Sequence, residues 1–222
     1  MTISQIKKDP AVQLLLEAAN RHLAALGYTD HGPRHAGFVS KYAAMILESL
    51  GYDERMTRLA AIAGYLHDVG NSVNRNNHSA SGACLMFPLL LRMEMPFDEV
   101  TEIITAIGNH EEDTGAISSP IAAAVVIADK ADAHKSRVRN GAPAAGDIHD
   151  RVNFSIQRNR LCVDADTRVI VSRIDMNETS SVMEYLTIYM TRIVMCEKAA
   201  AFLGCTFDLV INGRSINGRV RS

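Results

Sequence analysis

The chain has 222 residues, of which 47% are hydrophobic and 22% are charged. This length allows a substantial buried core, in one large domain or two small ones, and the composition is typical of a soluble globular protein. The formal net charge of −2 provides no general attraction for nucleic acid or for an anionic membrane. Because no apolar run is long enough to cross a bilayer and the first residues lack a signal-peptide pattern, we expect no membrane partner and a cytoplasmic location.

The cysteine and aromatic content narrows the class further. The four cysteines (Cys84, Cys162, Cys196 and Cys205) form no Cys-x-x-Cys pair and lie among apolar neighbours. This pattern favours buried free thiols over disulfides or a zinc ribbon. The chain has no Trp and only 5% aromatic residues, which argues against a surface that stacks bases, so we expect no nucleic-acid polymer as a partner.

The first 139 residues have the apolar spacing of helices. Helix-start signals occur at Asp9-Pro10, at 30–33, at Asp53, at 96–98 and at Ser119-Pro120. They predict about six helices with short connections, which is typical of an all-α bundle. We expect the last of these helices to hold Asp129 and to continue to Arg139.

The pattern changes after a small-residue linker at 140–150. Apolar residues alternate with period two at 152–156, 161–163 and 169–174, which predicts three strands. Residues 178–203 predict a long amphipathic helix, and 206–211 a last strand. We therefore expect a mainly α protein with a small β-β-β-α-β segment over 151–211 and a flexible tail over 212–222. This segment could gate a site or form a homodimer contact, and the sequence leaves both open.

An adjacent imidazole and carboxylate end the most apolar run of the chain. His67 and Asp68 follow residues 59–66, which are apolar enough to bury a helix on nearly every side. Burying either group without a partner is costly, so a metal ion is a natural common partner. The competing interpretation is a His-Asp pair that satisfies itself within the core.

Further metal-ligand residues stand in separate segments. They are His35, His78, His110 and Asp129, and the last of these lies inside another apolar helix. A single His or Asp on an apolar face has a local explanation, whereas several at once favour a shared one. Imidazole and carboxylate ligands suit Mn, Fe, Zn, Co or Ni without choosing among these metals.

This order of motifs, between about residues 28 and 139, resembles the HD-domain metal-dependent phosphohydrolase superfamily. The resemblance implies a helical HD domain over 1–139 in which His35, His67, Asp68 and Asp129 hold one divalent metal ion. In the two-metal branch, which is similar to HD-GYP enzymes, residues like His78 and His110 hold a second ion and the aspartate bridges. Otherwise His78 caps a helix and His110 is a solvated cation. The sequence therefore leaves open whether the site binds one ion or two.

Two departures from the HD-GYP pattern bear on the substrate. The lysine of that pattern is Asn71 here, and a Gly-Tyr-Pro segment is missing after His110, which argues against a cyclic dinucleotide. His31 stands where a third-metal ligand would lie, but its place before Pro33 favours a surface or substrate-contact role.

Basic residues follow Asp129 at helical spacing. Lys130, His134 and Arg137 would form one stripe bordering the site and able to bind phosphate, or else a solvated face. Arg34 allows the same two interpretations. We assign Asp68, Lys130 and Arg137 to catalysis, with Asp68 acting as ligand and bridge.

The resemblance implies hydrolysis of a small phosphate monoester or diester, such as that of a nucleotide, by a metal-activated water. Two alternatives stay open: a diiron oxygenase of the same fold, and a binding or regulatory module with a structural metal.

Overall fold

The computed structural model describes residues 1–112 and 115–218, and within these ranges the chain forms nine α-helices and four strands. The helices are α1 (Ile3–Lys8), α2 (Pro10–Ala25), α3 (Pro33–Ser49), α4 (Glu54–Leu66), α5 (His78–Arg92), α6 (Phe97–Gly108), α7 (Pro120–Lys130), α8 (Ile148–Ser155) and α9 (Val182–Phe202). The strands are β1 (Ile156–Asp164), β2 (Val169–Met176), β3 (Thr206–Ile211) and β4 (Arg214–Ser215). The predicted class, a mainly α protein with a small C-terminal α+β segment, is confirmed.

Local signals set most helix starts. The Asp53 carboxylate accepts a hydrogen bond from the Met56 N–H at 2.7 Å and so caps α4. Ser119 caps α7 in the same way, and Pro120 occupies the first helical position. α1, which the sequence analysis did not predict, begins with a capping box between Thr2 and Gln5.

Helix α7 lies at the centre of the bundle. Every residue from Ile121 to Ala128 is buried, and the helix packs against α3, α4, α6 and α9. The last eight residues of α4 are also buried. These two helices bring His67, Asp68 and Asp129 to the interior, because each ends where its apolar run ends.

The four strands form one sheet in the order β1-β2-β3-β4. β1 and β2 pair antiparallel, β2 and β3 pair parallel, and α9 is the crossover between the parallel strands. Buried side chains of α9 and of the sheet belong to the same hydrophobic cluster as those of the helical bundle. β4 extends the sheet beyond residue 211, while 219–222 lie outside the described residues.

The strand predicted at 152–156 is wrong, because residues 148–155 form helix α8. The Asp147 carboxylate accepts hydrogen bonds from the backbone N–H groups of His149 and Asp150 and starts this helix. A five-residue alternation does not distinguish a strand from a short capped helix. The segment is therefore α-β-β-α-β-β, rather than β-β-β-α-β.

Two smaller expectations also need correction. Helix α7 ends at Lys130 rather than Arg139, because the side-chain amide of Asn159 on β1 donates hydrogen bonds to the carbonyl oxygens of Ala131 and Ala133. All four cysteines are free, but Cys84 and Cys162 are exposed, so the prediction of buried thiols holds only for Cys196 and Cys205.

None of the helices within the described ranges is both long enough and apolar enough to span a bilayer.

The turn after Asp68 packs against α5 without room for a side chain. A Cβ atom added at Gly70 would lie 1.8 Å from the His78 carbonyl oxygen and 2.5 Å from the Gly82 backbone nitrogen. We expect Gly70→Ala to lower the free energy of unfolding by about 1–3 kcal/mol, because backbone on both sides must move. Thermal and urea unfolding measure this change.

Gly37→Ala is the matched control. A Cβ atom at Gly37, in the middle of α3, meets no atom within 4 Å. We expect this variant to be neutral or to be stabilised by about 0.5–1 kcal/mol through helix propensity. Equal destabilisation of both variants would contradict the packing argument.

Candidate metal centre

Four side chains from two helices and the turn after α4 meet at one buried point. His35 lies in the first turn of α3, His67 and Asp68 directly follow α4, and Asp129 lies in the last turn of α7. His35 Nε2 lies 3.2 Å from His67 Nε2 and 3.4 Å from Asp129 Oδ1. Asp68 Oδ2 lies 3.5 Å from His35 Nε2 and 3.4 Å from His67 Nε2. Both imidazoles are fully buried.

These separations fit a shared ion. Nitrogen and oxygen ligands bound tetrahedrally at about 2.1 Å are about 3.4 Å apart, which is the spacing found among these atoms. Two imidazole nitrogens that face each other at 3.2 Å otherwise need a single proton between them. The donor set therefore fits a divalent transition metal ion.

The opposite ring nitrogens fix the orientation of the two imidazoles. His35 Nδ1 donates to Asp132 Oδ2 at 2.7 Å, and His67 Nδ1 donates to the Gly64 carbonyl oxygen at 2.9 Å. Asp132 is itself fully buried and is bound by Arg34. With each proton placed on Nδ1, each Nε2 keeps its lone pair for a metal ion.

A second group shares Asp68. Asp68 Oδ1, the oxygen not used by the first group, lies 3.3 Å from His78 Nε2 and 3.8 Å from His110 Nε2, and these two nitrogens are 3.0 Å apart. His78 Nδ1 donates to the Arg75 carbonyl oxygen and His110 Nδ1 to the Ile107 carbonyl oxygen. All four histidines thus direct Nε2 toward the Asp68 carboxylate.

The electrostatics of the cluster favour a cation. Burial would lower the pKa of His67, but the carboxylates of Asp68 and Asp129 outweigh burial and raise this pKa to about 10. Burial would raise the pKa of Asp68 and Asp129, yet neighbouring positive groups hold both well below the ordinary value. Burial lowers the pKa of His110 to about 4, so its imidazole is neutral at physiological pH.

A polar cavity of about 70 Å³ opens beside the two groups. Its wall includes both aspartates, and four basic side chains surround it. The lining residues are His31, Asp68, Arg75, His78, His110, Glu111, Glu112, Asp129, Lys130, Arg137 and Arg192.

Lys130, His134 and Arg137 do not form the predicted basic stripe after Asp129. Lys130 and Arg137 both reach the cavity, but His134 lies elsewhere, against Ser136 and the Gln157 carbonyl oxygen, because α7 has already ended. Lys130 Nζ lies 2.8 Å from Asp129 Oδ2 and 3.1 Å from Glu112 Oε1. Although burial would lower the pKa of Lys130, these two carboxylates raise it, so the ammonium stays charged.

Arg137 and His31 fix each other at the cavity wall. Arg137 is buried and donates to the Asp132 carbonyl oxygen and to His31 Nε2, both at 2.7 Å. His31 Nδ1 in turn donates to the Thr29 carbonyl oxygen. Burial and the Arg137 guanidinium lower the pKa of His31 well below its ordinary value, so this imidazole is a neutral acceptor at the cavity.

The motifs did not predict Asp132, Arg75 or Arg192 as site residues, nor Glu111 and Glu112, which also line the cavity. Asp132, three positions after Asp129, orients His35, and its place in the same motif was a usable signal. Arg75 lies in the polar loop before α5, where nothing distinguishes it from a solvated residue. Arg192 comes from α9, far along the chain, and only the packing of α9 on α7 brings it to the cavity.

Metal binding must displace a proton from His67. Its raised pKa of about 10 means that the metal-free protein holds this proton at neutral pH, and this stabilisation of the fold is lost as the pH rises through 10. We expect Mn²⁺ binding at pH 7.5 to release about one proton and the affinity to increase from pH 7 to 8.5. Calorimetry in buffers of different ionisation enthalpy measures the release. An affinity that is constant over this range would contradict the expectation.

Comparisons with known proteins agree with this geometry. Residues 34–134, which include every ligand described above, match a model of the family described as HD domain. The chain is 30% identical over 182 residues to an uncharacterised protein of Methanocaldococcus jannaschii, across 71% of this chain and 70% of that protein. It is also similar to the crystal structure of a predicted HD superfamily hydrolase from an uncultured Thermotogales bacterium, with a TM-score of 0.44 and 23% identity over 60% of this chain and 75% of that one. The resemblance stated from the motifs is thereby confirmed, and the chain belongs to the HD-domain family.

Proposed function

We propose that the protein is a metal-dependent phosphohydrolase that cleaves a small phosphate monoester or diester. The observation that carries the proposal is the cavity beside the two ligand groups, whose wall brings four basic side chains together with the ligand carboxylates of Asp68 and Asp129 and with Glu111 and Glu112. Metal ions bound to the ligand carboxylates would leave the cavity with a surplus of positive charge, which is suited to a small anion that also contacts the ions.

The ligand atoms divide into two sets. His35, His67, Asp129 and Asp68 Oδ2 would hold one ion, while His78, His110 and Asp68 Oδ1 would hold a second, with Asp68 as the bridge. When bound there, divalent ions supply positive charge for the phosphoryl oxygens and lower the pKa of an attacking water.

The basic side chains have separate roles in binding the phosphoryl group. Arg75 and Arg192 both line the cavity wall. Arg75 comes from the loop before α5, and Arg192 comes from α9. Arg137 is fixed by its bonds to His31 and Asp132 and presents a charge that needs no rearrangement. Lys130 neutralises the outer oxygen of Asp129 and stays within the cavity.

A second cavity of about 190 Å³ continues from the first and shares three lining residues with it. They are His31, Arg75 and Arg192. Its other walls carry Tyr28 and Tyr189, which offer ring surface and hydroxyl groups. We infer that the leaving group occupies this space, which suits a compact polar group such as the nucleoside of a nucleotide.

The basic lining also weighs against the diiron oxygenase alternative. Cations that line the cavity beside the ligands are suited to an anionic substrate, which every phosphohydrolase needs and an oxygenase needs only when its own substrate is anionic. A purely structural metal needs no such cavity either, because structural sites are closed by protein ligands.

Removing ligands tests the proposal. We expect His67→Ala and Asp68→Ala to lose metal and to reduce hydrolysis by at least about a thousandfold, because His67 would ligate the first ion and Asp68 would bridge both. The measurements are metal content by elemental analysis and phosphate release from a panel of phosphomonoesters and diesters, including nucleotides.

His134→Ala is the matched control, since His134 lies outside the cavity. We expect it to keep both metal and turnover. Full hydrolysis by metal-free Asp68→Ala would refute the proposal, and dioxygen consumption by iron-loaded protein without phosphate release would favour the oxygenase.

The contribution of Arg192, on α9, to substrate binding can be tested separately. Arg192 Nε lies 3.3 Å from Glu112 Oε1, and its guanidinium stacks on Tyr189 at 4.9 Å from the ring centroid. We expect Arg192→Ala to raise the KM for the phosphorylated substrate by about tenfold, equal to about 1.4 kcal/mol of binding, while metal content is kept. The control Lys198→Ala removes an exposed cation from the same helix and should leave KM unchanged.

A further inference from the structure

A cavity of about 520 Å³ lies outside the metal centre, between α3, the turn Lys135–Arg137 and the start of β1. We call it the α3–β1 groove. One face of α3 forms its floor, since Arg34, Gly37, Phe38, Lys41 and Tyr42 follow one another at helical spacing. Residues 157–160 of β1 form the facing wall.

The groove is strongly basic. Arg34, Lys41, Arg158 and Arg160 line it, and its lining includes no aspartate or glutamate. Of these cations only Arg34 has a carboxylate within 4 Å among the described residues, namely Asp132. Three cations therefore border one concavity without a counterion, in a chain whose net charge is −2.

The β1–β2 strand pair adds to the excess of positive charge at the groove. Arg160 stands directly opposite Arg173 in the antiparallel β1–β2 pair, and both are exposed. Like charges in this arrangement destabilise a sheet unless an anion lies between or beside them. Arg158 stands opposite Asp175, whose carboxylate lies beyond ion-pair distance. The outer face of β1 thus attracts anions at the edge of the groove.

Two aromatic rings complete the floor. Phe38 and Tyr42 are half-buried, with ring centroids 4.4 Å apart and an interplanar angle of 48°. Between them and Arg34 lies Gly37, where an added Cβ atom would meet no atom within 4 Å. The Arg34 guanidinium carbon lies over the Phe38 ring at 5.9 Å and Lys41 Nζ over the Tyr42 ring at 5.6 Å from the ring centroid. Rings and cations side by side are suited to a ligand that joins an aromatic ring to an anionic group.

We propose that the α3–β1 groove binds a small polyphosphorylated ligand with an aromatic ring, of the nucleoside diphosphate or triphosphate class. Lys41, Arg158 and Arg160 bind the phosphates, and the base packs against Phe38 and Tyr42. Several cations around one concavity favour a compact polyanion. A nucleic-acid polymer requires a basic surface that extends along the protein.

This site is separate from the metal centre, with Arg34 at the boundary. The Arg34 guanidinium binds Asp132, and Asp132 accepts the Nδ1 proton of His35. A substitution of Arg34 would therefore disturb a metal ligand as well as the groove. The variants that test the groove leave Arg34 unchanged.

The test is equilibrium binding of a ribose-labelled fluorescent ATP to the full chain, in EDTA so that the metal centre cannot consume the probe. The double variant Arg158→Glu/Arg160→Glu reverses the charge of one wall, and Gly37→Leu fills the floor without changing charge. We expect each to weaken binding by at least about tenfold, equal to about 1.4 kcal/mol. The control Lys198→Glu makes a charge change on α9 and should leave affinity within about twofold.

Competition identifies the ligand class. Unlabelled ATP should displace the probe well, tripolyphosphate less well and adenosine only weakly, because both the phosphates and the ring contribute. Circular dichroism and metal content of each variant confirm folding. Unchanged affinity in both groove variants would overturn the proposal, as would displacement of the probe by a single-stranded oligonucleotide more strongly than by ATP.

Discussion

The metal centre depends on imidazole rings whose Nδ1 protons are held by groups that the fold supplies. In three of the four histidines the acceptor is the backbone carbonyl three residues earlier: Gly64 for His67, Arg75 for His78 and Ile107 for His110. Carbonyl groups in the last turn of a helix lack partners within the helix, so the ends of α4 and α6 provide acceptors at no cost to the helices. The hydrogen bond from Nδ1 that satisfies a carbonyl group at a helix end therefore also orients Nε2 toward the candidate metal site.

Helix direction reinforces this arrangement. The C-terminal ends of α4, α6 and α7 all reach the centre, where His67, His110 and Asp129 stand at or next to the last turn. The C-terminal end of a helix carries partial negative charge and so favours a cation nearby. Three such ends, the buried Asp68 carboxylate and the partly buried Asp129 carboxylate make the pocket favourable for divalent ions. The raised pKa of His67 reflects the same surplus of negative charge.

The motifs predicted the centre better than they predicted the chain around it. His67 and Asp68 were identifiable because they end an apolar run, where a buried polar group needs a partner, and His35 and Asp129 because they complete a motif order that resembles the HD-domain superfamily. The end of α7 was not identifiable, since it is fixed by Asn159, which lies about thirty residues later on β1. Helix α8 was mistaken for a strand because its start depends on one cap at Asp147. Arg192 reaches the cavity through tertiary packing, which leaves no local pattern in the sequence.

Under the proposed function, the metal ligands and the cavity for the leaving group come from different parts of the chain. Every candidate metal ligand lies within residues 34–134, the part that matches the HD-domain family. The cavity that we assign to the leaving group is lined largely by residues outside this range, among them Tyr28 before α3, Asp147 and Asn153 around α8, and Tyr189 on α9. Tyr189 also donates a hydrogen bond to Asn153 at 3.1 Å, so the two C-terminal helices support one wall together. Metal ligation and leaving-group selection would therefore be encoded in different segments, and we expect changes in the C-terminal segment to alter the substrate while the ligand geometry stays intact.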